Sequence, residues 1–211
     1  MDRSIQVDTF SRITRVSRET ITSLIKYENL LIEANKSLNL IGNSTISQIW
    51  TRHFLDSYQV IDFIDKNDDT LIDLGSGAGF PGLVIAIATK EKKDHLKIKL
   101  IEKSSKKVKF LKKIIDELHL NVEVLNQDIF KDQINLVGDV FVARAFKPLK
   151  IILQLMHSQT ENWKKFFIFL GKTGKSELHD ASKDWDIGYK QRMSITNSDS
   201  LVIEINKLKK K

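Results

Sequence analysis

The chain of 211 residues has no cysteine, which excludes disulfides and cysteine-held zinc or iron-sulfur centres. Its five histidines are scattered without ligand-like spacing, so no bound metal is expected. No apolar run approaches the roughly 18 residues that span a bilayer. The first fifteen residues, MDRSIQVDTFSRITR, alternate charges with isolated apolar side chains and lack the apolar centre of a secretory signal. A soluble, cytoplasmic protein with no membrane partner is expected. The sequence also shows no nucleophile elbow, no Walker lysine and no paired-acid hydrolase spacing, which argues against hydrolysis and phosphoryl transfer.

Glycine is scarce and concentrated. There are nine in all, and four of them, Gly75, Gly77, Gly79 and Gly82, fall within LIDLGSGAGFPG at residues 71–82. An apolar strand pattern leads into them through Asp73. Glycine this dense marks backbone that turns at positive φ or lies directly against a ligand. Two cofactor classes use such a loop. A dinucleotide presents an anionic pyrophosphate, which an acid before the first glycine would oppose. S-adenosyl-L-methionine carries a sulfonium and an ammonium and no phosphate, so Asp73 suits it by simple charge attraction. The plainer alternative is a glycine turn closing a βα unit, with Asp73 capping backbone N–H groups.

Around this loop the hydrophobic period alternates as βαβ units do. Helices are predicted over 18–35, with Ser17 as N-cap, and over about 47–64, ahead of a first strand at 70–74. Then come helix 81–89, strand 97–102, helix 106–118, strands 122–125 and 139–143, helix 148–160 and strand 166–170. Two further strand patterns, around 190–196 and 201–207, read as an antiparallel hairpin. The expected architecture is α/β: a doubly wound, Rossmann-like, mostly parallel sheet with that hairpin at its C-terminal end. An N-terminal helical extension, residues 1–66, precedes a core of residues 67–211. The only prolines, Pro81 and Pro148, both fall at strand-to-helix transitions.

Ligands of open α/β sheets gather beyond the carboxyl ends of the strands. Glu102 ends the second strand, where a carboxylate can accept both ribose hydroxyls of a nucleoside. Asp128, past the third strand, can accept from an adenine amino group, with Ile129 and Phe130 packing on the base. Together with Asp73 these acids describe an adenosine pocket; singly, each reads better as a loop cap or surface charge. Arg144 and Phe146 follow the next strand, where they could bind an RNA phosphate or guanine edge and stack a splayed base. The alternative makes Phe146 core and Arg144 a surface charge. In RHFLDS, residues 52–57, Arg52 and Asp56 stand four apart and can pair as an ordinary helix salt bridge beside His53.

The net charge of +7 favours a polyanionic partner. The excess is local: KSSKKVKFLKK, residues 103–113, holds six lysines and no acid, and the chain ends KLKKK. Either run reads as RNA contact or as a solvated helix face and tail.

Several motifs together carry a resemblance. NL at Asn39 and Leu40, RHFLDS, DLGSGAGFPG with its FPG end, Glu102 followed by KSSKKVKFL, and RAFKPL at 144–149 run in one order over about two thirds of the chain. In these it resembles the bacterial 16S ribosomal RNA guanine-N7 methyltransferases, also known as the glucose-inhibited division protein B family. The resemblance implies a class I methyltransferase fold and an S-adenosyl-L-methionine-dependent enzyme. Its partner would be 16S ribosomal RNA or the small ribosomal subunit, and the protein itself a monomer. It implies donor contacts from Gly75, Phe80, Ile129, Phe130 and Arg144, and it places Arg52, His53 and Asp56 beside the cleft as guanine-positioning candidates. Three departures from the family's usual pattern stand out: Asp128 stands where a basic residue is common, Lys172 is displaced past Gly171, and Asp199 and Ser200 replace an Arg-His pair. Guanine N7 bears a lone pair and no proton, so the absence of an obvious general base does not count against this activity. Two other readings stay open on the residues alone: a methyltransferase for another substrate, and a non-catalytic RNA-binding module on a vestigial nucleotide fold.

Overall fold

A computed structural model describes residues 2–132 and 134–211. Its strands are β1 (Thr70–Leu74), β2 (Lys97–Ile101), β3 (Val122–Leu125), β4 (Leu136–Val137), β5 (Val140–Arg144), β6 (Thr160–Glu161), β7 (Lys165–Leu170), β8 (Trp185–Met193) and β9 (Leu201–Lys210). Its helices are α1 (Arg3–Thr14), α2 (Arg18–Leu38), α3 (Asp56–Tyr58), α4 (Gly82–Thr89), α5 (Ser105–Leu118), α6 (Leu149–Gln159) and α7 (Gly174–Asp184). Seven strands form one sheet in the order β3-β2-β1-β5-β7-β9-β8. The pairs among β3, β2, β1, β5 and β7 are parallel, and β9 runs antiparallel to both β7 and β8. The doubly wound, mostly parallel sheet with its C-terminal hairpin is therefore as expected. A separate two-stranded parallel ladder joins β4 to β6.

The sheet is sorted by its pleat. Alternate side chains point to opposite faces, so Leu71, Val140, Val142 and Phe167 enter one apolar cluster while Ile72, Leu74, Phe141, Ala143, Phe166 and Ile168 enter the other. The first cluster also takes in Phe10, Leu24, Leu31, Trp50 and Phe54, so the segment preceding β1 shares a core with the sheet. Here α2 packs on α4 and α5, while α6 and α7 pack together across the opposite face. Ser17 caps α2 through the Thr20 N–H at 3.1 Å, as its spacing predicts.

Two expectations need correction, and two helices went unpredicted. The single helix over 47–64 is broken into a 3₁₀ segment at Asn43–Gln48, a π-helical turn at Trp50–Leu55, the short α3, and a 3₁₀ turn at Ile61–Phe63. Its apolar pairs explain this: Ile49 with Trp50, and Phe54 with Leu55, are all buried yet five residues apart, about 1.4 turns of an α-helix. The i→i+5 bonding of a π turn brings them onto one face. Secondly, the lysines that looked like a tail lie in β9, whose residues 207–210 pair with 185–188 of β8. Finally, α1 and α7 form without a predictive apolar stripe. In α1 the buried residues are Gln6, Phe10 and Thr14, and in α7 Gly174, Leu178 and Ala181. No helix among the described residues is long and apolar enough to cross a membrane.

Candidate active site

The strand-to-helix loop after β1 is built around Gly75, where φ is +71° and an added Cβ would stand 2.0 Å from Phe146 Cδ2. Only glycine lets the backbone take that turn with an aromatic ring laid on it. The Gly75 and Ser76 N–H groups both donate to Ile101 O at 3.0 Å, which ties the loop to the end of β2. Tyr27, fully buried on α2, donates from its hydroxyl to Ala78 O at 2.5 Å and braces the loop from behind.

Beyond these strand ends opens a cleft of about 400 Å³, within the range of small-molecule sites. Gly75, Gly77, Phe80, Glu102, Asp128, Ile129, Phe130 and Arg144 all line it, as do His53 and Phe146. Glu102 Oε2 accepts from the Gly77 N–H at 3.0 Å and Oε1 from the Ser104 N–H at 2.8 Å, so the acid holds both loops while facing the cleft. Asp128 Oδ1 accepts from the Phe130 N–H at 3.2 Å, and Lys103 Nζ approaches its other oxygen to 3.8 Å. Phe130, 43% exposed, stacks on Phe146 with ring centroids 5.7 Å apart, giving the mouth an aromatic wall.

Two of the expected donor residues are not in the wall. Asp73 is fully buried, and its Oδ2 accepts from the Gly82 N–H at 2.9 Å. The pleat dictates this: Asp73 shares a face with Leu71, which points under the sheet toward the start of α4. It is the helix-capping reading that matches this geometry, a carboxylate at the positive end of α4. Burial pushes its pKa up to about 7, against the lowering effect of the Gly82 N–H and the Ser76 hydroxyl. Gly79 is likewise behind the wall, packed against Leu83 and Tyr27.

The arginine after β5 organises the other side. Arg144 Nε donates to Asp56 Oδ2 at 2.8 Å, displacing the Arg52–Asp56 helix pair suggested by spacing. Its Nη2 donates to Arg52 O at 2.6 Å, and its guanidinium donates to His53 Nδ1 at 3.3 Å. Arginine has only donors, so Nδ1 must accept and the imidazole proton sits on Nε2. That N–H then donates to Thr45 Oγ1 at 2.9 Å, and the Thr45 hydroxyl passes on to Gly42 O at 2.7 Å. Burial, then the charges of Arg144 and Arg52, push the His53 pKa down to about 3, so the ring is neutral with both nitrogens committed. His53 also stacks on Phe80 at 4.9 Å. Asp56 Oδ1 accepts from Gln59 Nε2 at 2.8 Å and from the Ser194 and Thr196 hydroxyls at 3.0 Å each. Across Arg144 and Ala145 from the cleft lies a groove of about 290 Å³ bordered by Arg52, Asp56, Phe169 and the 194–200 turn.

Sequence reasoning missed Thr45, Ser194 and Thr196, which carry no motif and act only through the fold. It also missed Lys103, Lys107 and Gln127 of the cleft wall, although Gln127 adjoins Asp128 and position alone could have nominated it. Among the described residues no cluster of three or more acidic, histidine or cysteine side chains is placed to hold a metal ion.

A seven-stranded sheet in this order, with a glycine loop and a nucleoside-sized cleft at its carboxyl ends, defines the class I methyltransferase fold. Two solved structures share it: the 16S rRNA methylase RmtB, with a TM-score of 0.55 and 14% identity over 91% of this chain and 76% of that one, and M. jannaschii TYW2 in complex with AdoMet, with a TM-score of 0.52 and 13% identity over 74% and 75%. Sequence takes the matter further. The family description for rRNA small subunit methyltransferase G matches residues 20–203. The ribosomal RNA small subunit methyltransferase G of Pelagibacter ubique is 39% identical over 93% of this chain and 92% of its own length. That of Rickettsia prowazekii is 36% identical over 93% and 98%. The chain belongs to the rRNA small subunit methyltransferase G family.

Proposed function

We propose that this protein transfers a methyl group from S-adenosyl-L-methionine to N7 of a guanine in 16S ribosomal RNA of the small ribosomal subunit, in the cytoplasm. The observation that carries the reading is the family match across residues 20–203, joined to a cleft whose walls suit the donor. Glu102 presents a carboxylate toward ribose hydroxyls, and the bare backbone of Gly75 and Gly77 admits close approach. Gln127 Oε1, buried in the wall and without a hydrogen-bond partner, offers an acceptor to an adenine amino group. Ile129 and Phe130 flank the same space. Bound there, the donor supplies an electrophilic methyl on a positive sulfur.

The protein's own task is then positional. Guanine N7 attacks with a lone pair and sheds no proton, so the site needs no base. His53 fits that requirement: neutral, with its acceptor nitrogen filled by Arg144 and its donor by Thr45, it has no lone pair free to take a proton. Its role, with Asp56, is to hold the Arg144 guanidinium between cleft and groove, where the remaining N–H, on Nη1, orients the guanine O6 edge or the donor carboxylate. Phe146, lying on Gly75 and stacked with Phe130, holds the base and excludes water. Arg52 borders the groove and is available to an RNA phosphate. Nucleoside mass spectrometry of 16S ribosomal RNA from cells with and without the protein tests the activity: one N7-methylguanosine is expected to vanish with the gene. An unchanged nucleoside profile, or calorimetric titration showing no saturable binding of S-adenosyl-L-methionine, would remove the proposal.

A further inference from the structure

We propose that the exposed face of α5 is a docking surface for the phosphate backbone of the substrate RNA. This rests on the reading of the protein as an RNA methyltransferase and adds where the RNA is held. One side of α5 is spent on the core: Val108, Phe110, Leu111, Ile114 and Leu118 are buried. The other side carries Lys106, Lys109, Lys112 and Lys113, all exposed.

An ordinary solvated helix face does not explain this charge arrangement. Two exposed helix lysines elsewhere are paired with acids one turn away, Lys36 with Glu33 on α2 and Lys183 with Asp180 on α7. Over the first three turns of α5 the neighbours one turn apart are lysines, 106 with 109, 109 with 112 and 109 with 113, and acids, Asp116 and Glu117, follow one turn after Lys112 and Lys113 only at its end. Like charges at these spacings destabilise a helix. The macrodipole is opposed as well. The first turn of α5 has no acid and the last turn no base, while lysines crowd its start and Asp116 and Glu117 stand near its end. Of those two acids, Glu117 is already engaged by Lys26 at 2.6 Å. None of the four lysines makes a hydrogen bond or ion pair among the described residues. A surface that costs the helix stability twice over, and whose lysines make no internal hydrogen bond or close ion pair, is complementary to an external polyanion.

The stripe is also continuous with the site. Lys103 and Lys107 line the donor cleft, and from Lys106 to Lys113 the face extends about 10 Å further along the helix axis. RNA whose target base enters the cleft can lay its flanking backbone along it.

The test uses the full-length protein carrying Lys109→Gln, Lys112→Gln and Lys113→Gln together, all outside the cleft wall. Its binding to a 16S ribosomal RNA transcript is measured by filter retention from about 50 to 200 mM KCl, a range over which counterion release is resolved. Each lost phosphate contact lowers the slope of log K against log salt by about 0.7–0.9, so the wild type is expected to lose about 20–40-fold more affinity than the variant across that range. The triple Lys→Arg variant should restore the wild-type slope, and S-adenosyl-L-methionine should bind all forms equally in calorimetry. The melting temperature of the glutamine variant should not fall, since repulsion is relieved. An unchanged slope in a protein that still methylates RNA overturns this surface alone. Retention on phosphatidylglycerol vesicles in place of RNA overturns it in favour of a membrane. Wild-type protein that binds no RNA at all overturns the methyltransferase reading with it.

Discussion

Replacing Asp56 by asparagine isolates the contribution of the arginine clamp. The side chain keeps its shape but loses the charge that faces Arg144 Nε at 2.8 Å, in a pair whose members are only 16% and 14% exposed. Its other oxygen accepts from Gln59, Ser194 and Thr196. If the asparagine carbonyl turns to Arg144, its amide N–H₂ meets the Gln59 amide, another donor. The Ser194 and Thr196 hydroxyls can rotate to accept, but Gln59 Nε2 cannot. A hydrogen bond to a charged group contributes about 1.5–3 kcal/mol, and removing one partner of a fully buried pair costs roughly 3–5 kcal/mol. With both groups partly wetted, the lower figure applies, about 2 kcal/mol. For a domain of this size that corresponds to a melting temperature lower by about 4–8 °C. The larger consequence is kinetic: an arginine displaced by about 1 Å from its working position is expected to reduce kcat on RNA about 100-fold. Thermal melting and single-turnover methyl transfer measure the two effects separately. A variant that melts within about 1 °C of wild type and turns over at the wild-type rate would show that Asp56 does not fix Arg144.

Gly75→Ala places a Cβ 2.0 Å from Phe146 Cδ2 at a backbone φ of +71°. The left-handed conformation alone costs about 1–2 kcal/mol. With the ring pushed into the cleft, calorimetry should find donor affinity at least ~10-fold weaker, and wild-type affinity would count against the loop as the donor's seat. Asp73 has a folded pKa near 7, raised above its ordinary 3.8. Between those values the folded chain holds a proton that the unfolded chain has released, so the group's contribution to stability falls as pH rises through that window. Asp73→Asn should therefore gain urea resistance relative to wild type progressively from pH ~4 to ~7, and a difference independent of pH would contradict the buried-carboxylate reading.

What could be read from the chain alone was whatever local physics dictates. Glycines at positive φ, an acid closing β2 and apolar strands buried on both faces all leave marks at short range, so the sheet and most of the cleft wall were identifiable. The orientation of Asp73 depends on which way the pleat of β1 points, a fact decided by the clusters on either side. The broken helix around His53 depends on where four apolar side chains find a core. Helix α7 was unreadable because its packing rests on little more than Leu178 and Ala181. Thr45, Ser194 and Thr196 have no chemical signature, and they matter because tertiary contacts bring their hydroxyls to His53 and Asp56.

The link from Asp56 to Ser194 joins positions 138 residues apart in sequence, and it has a consequence for biosynthesis. A growing chain can complete the glycine loop and the Glu102 contact long before the 194–200 turn has emerged. Until then Asp56 lacks two of its donors and holds Arg144 with Gln59 alone beside it. The ring of donors around Asp56 is therefore closed only by residues near the end of the chain.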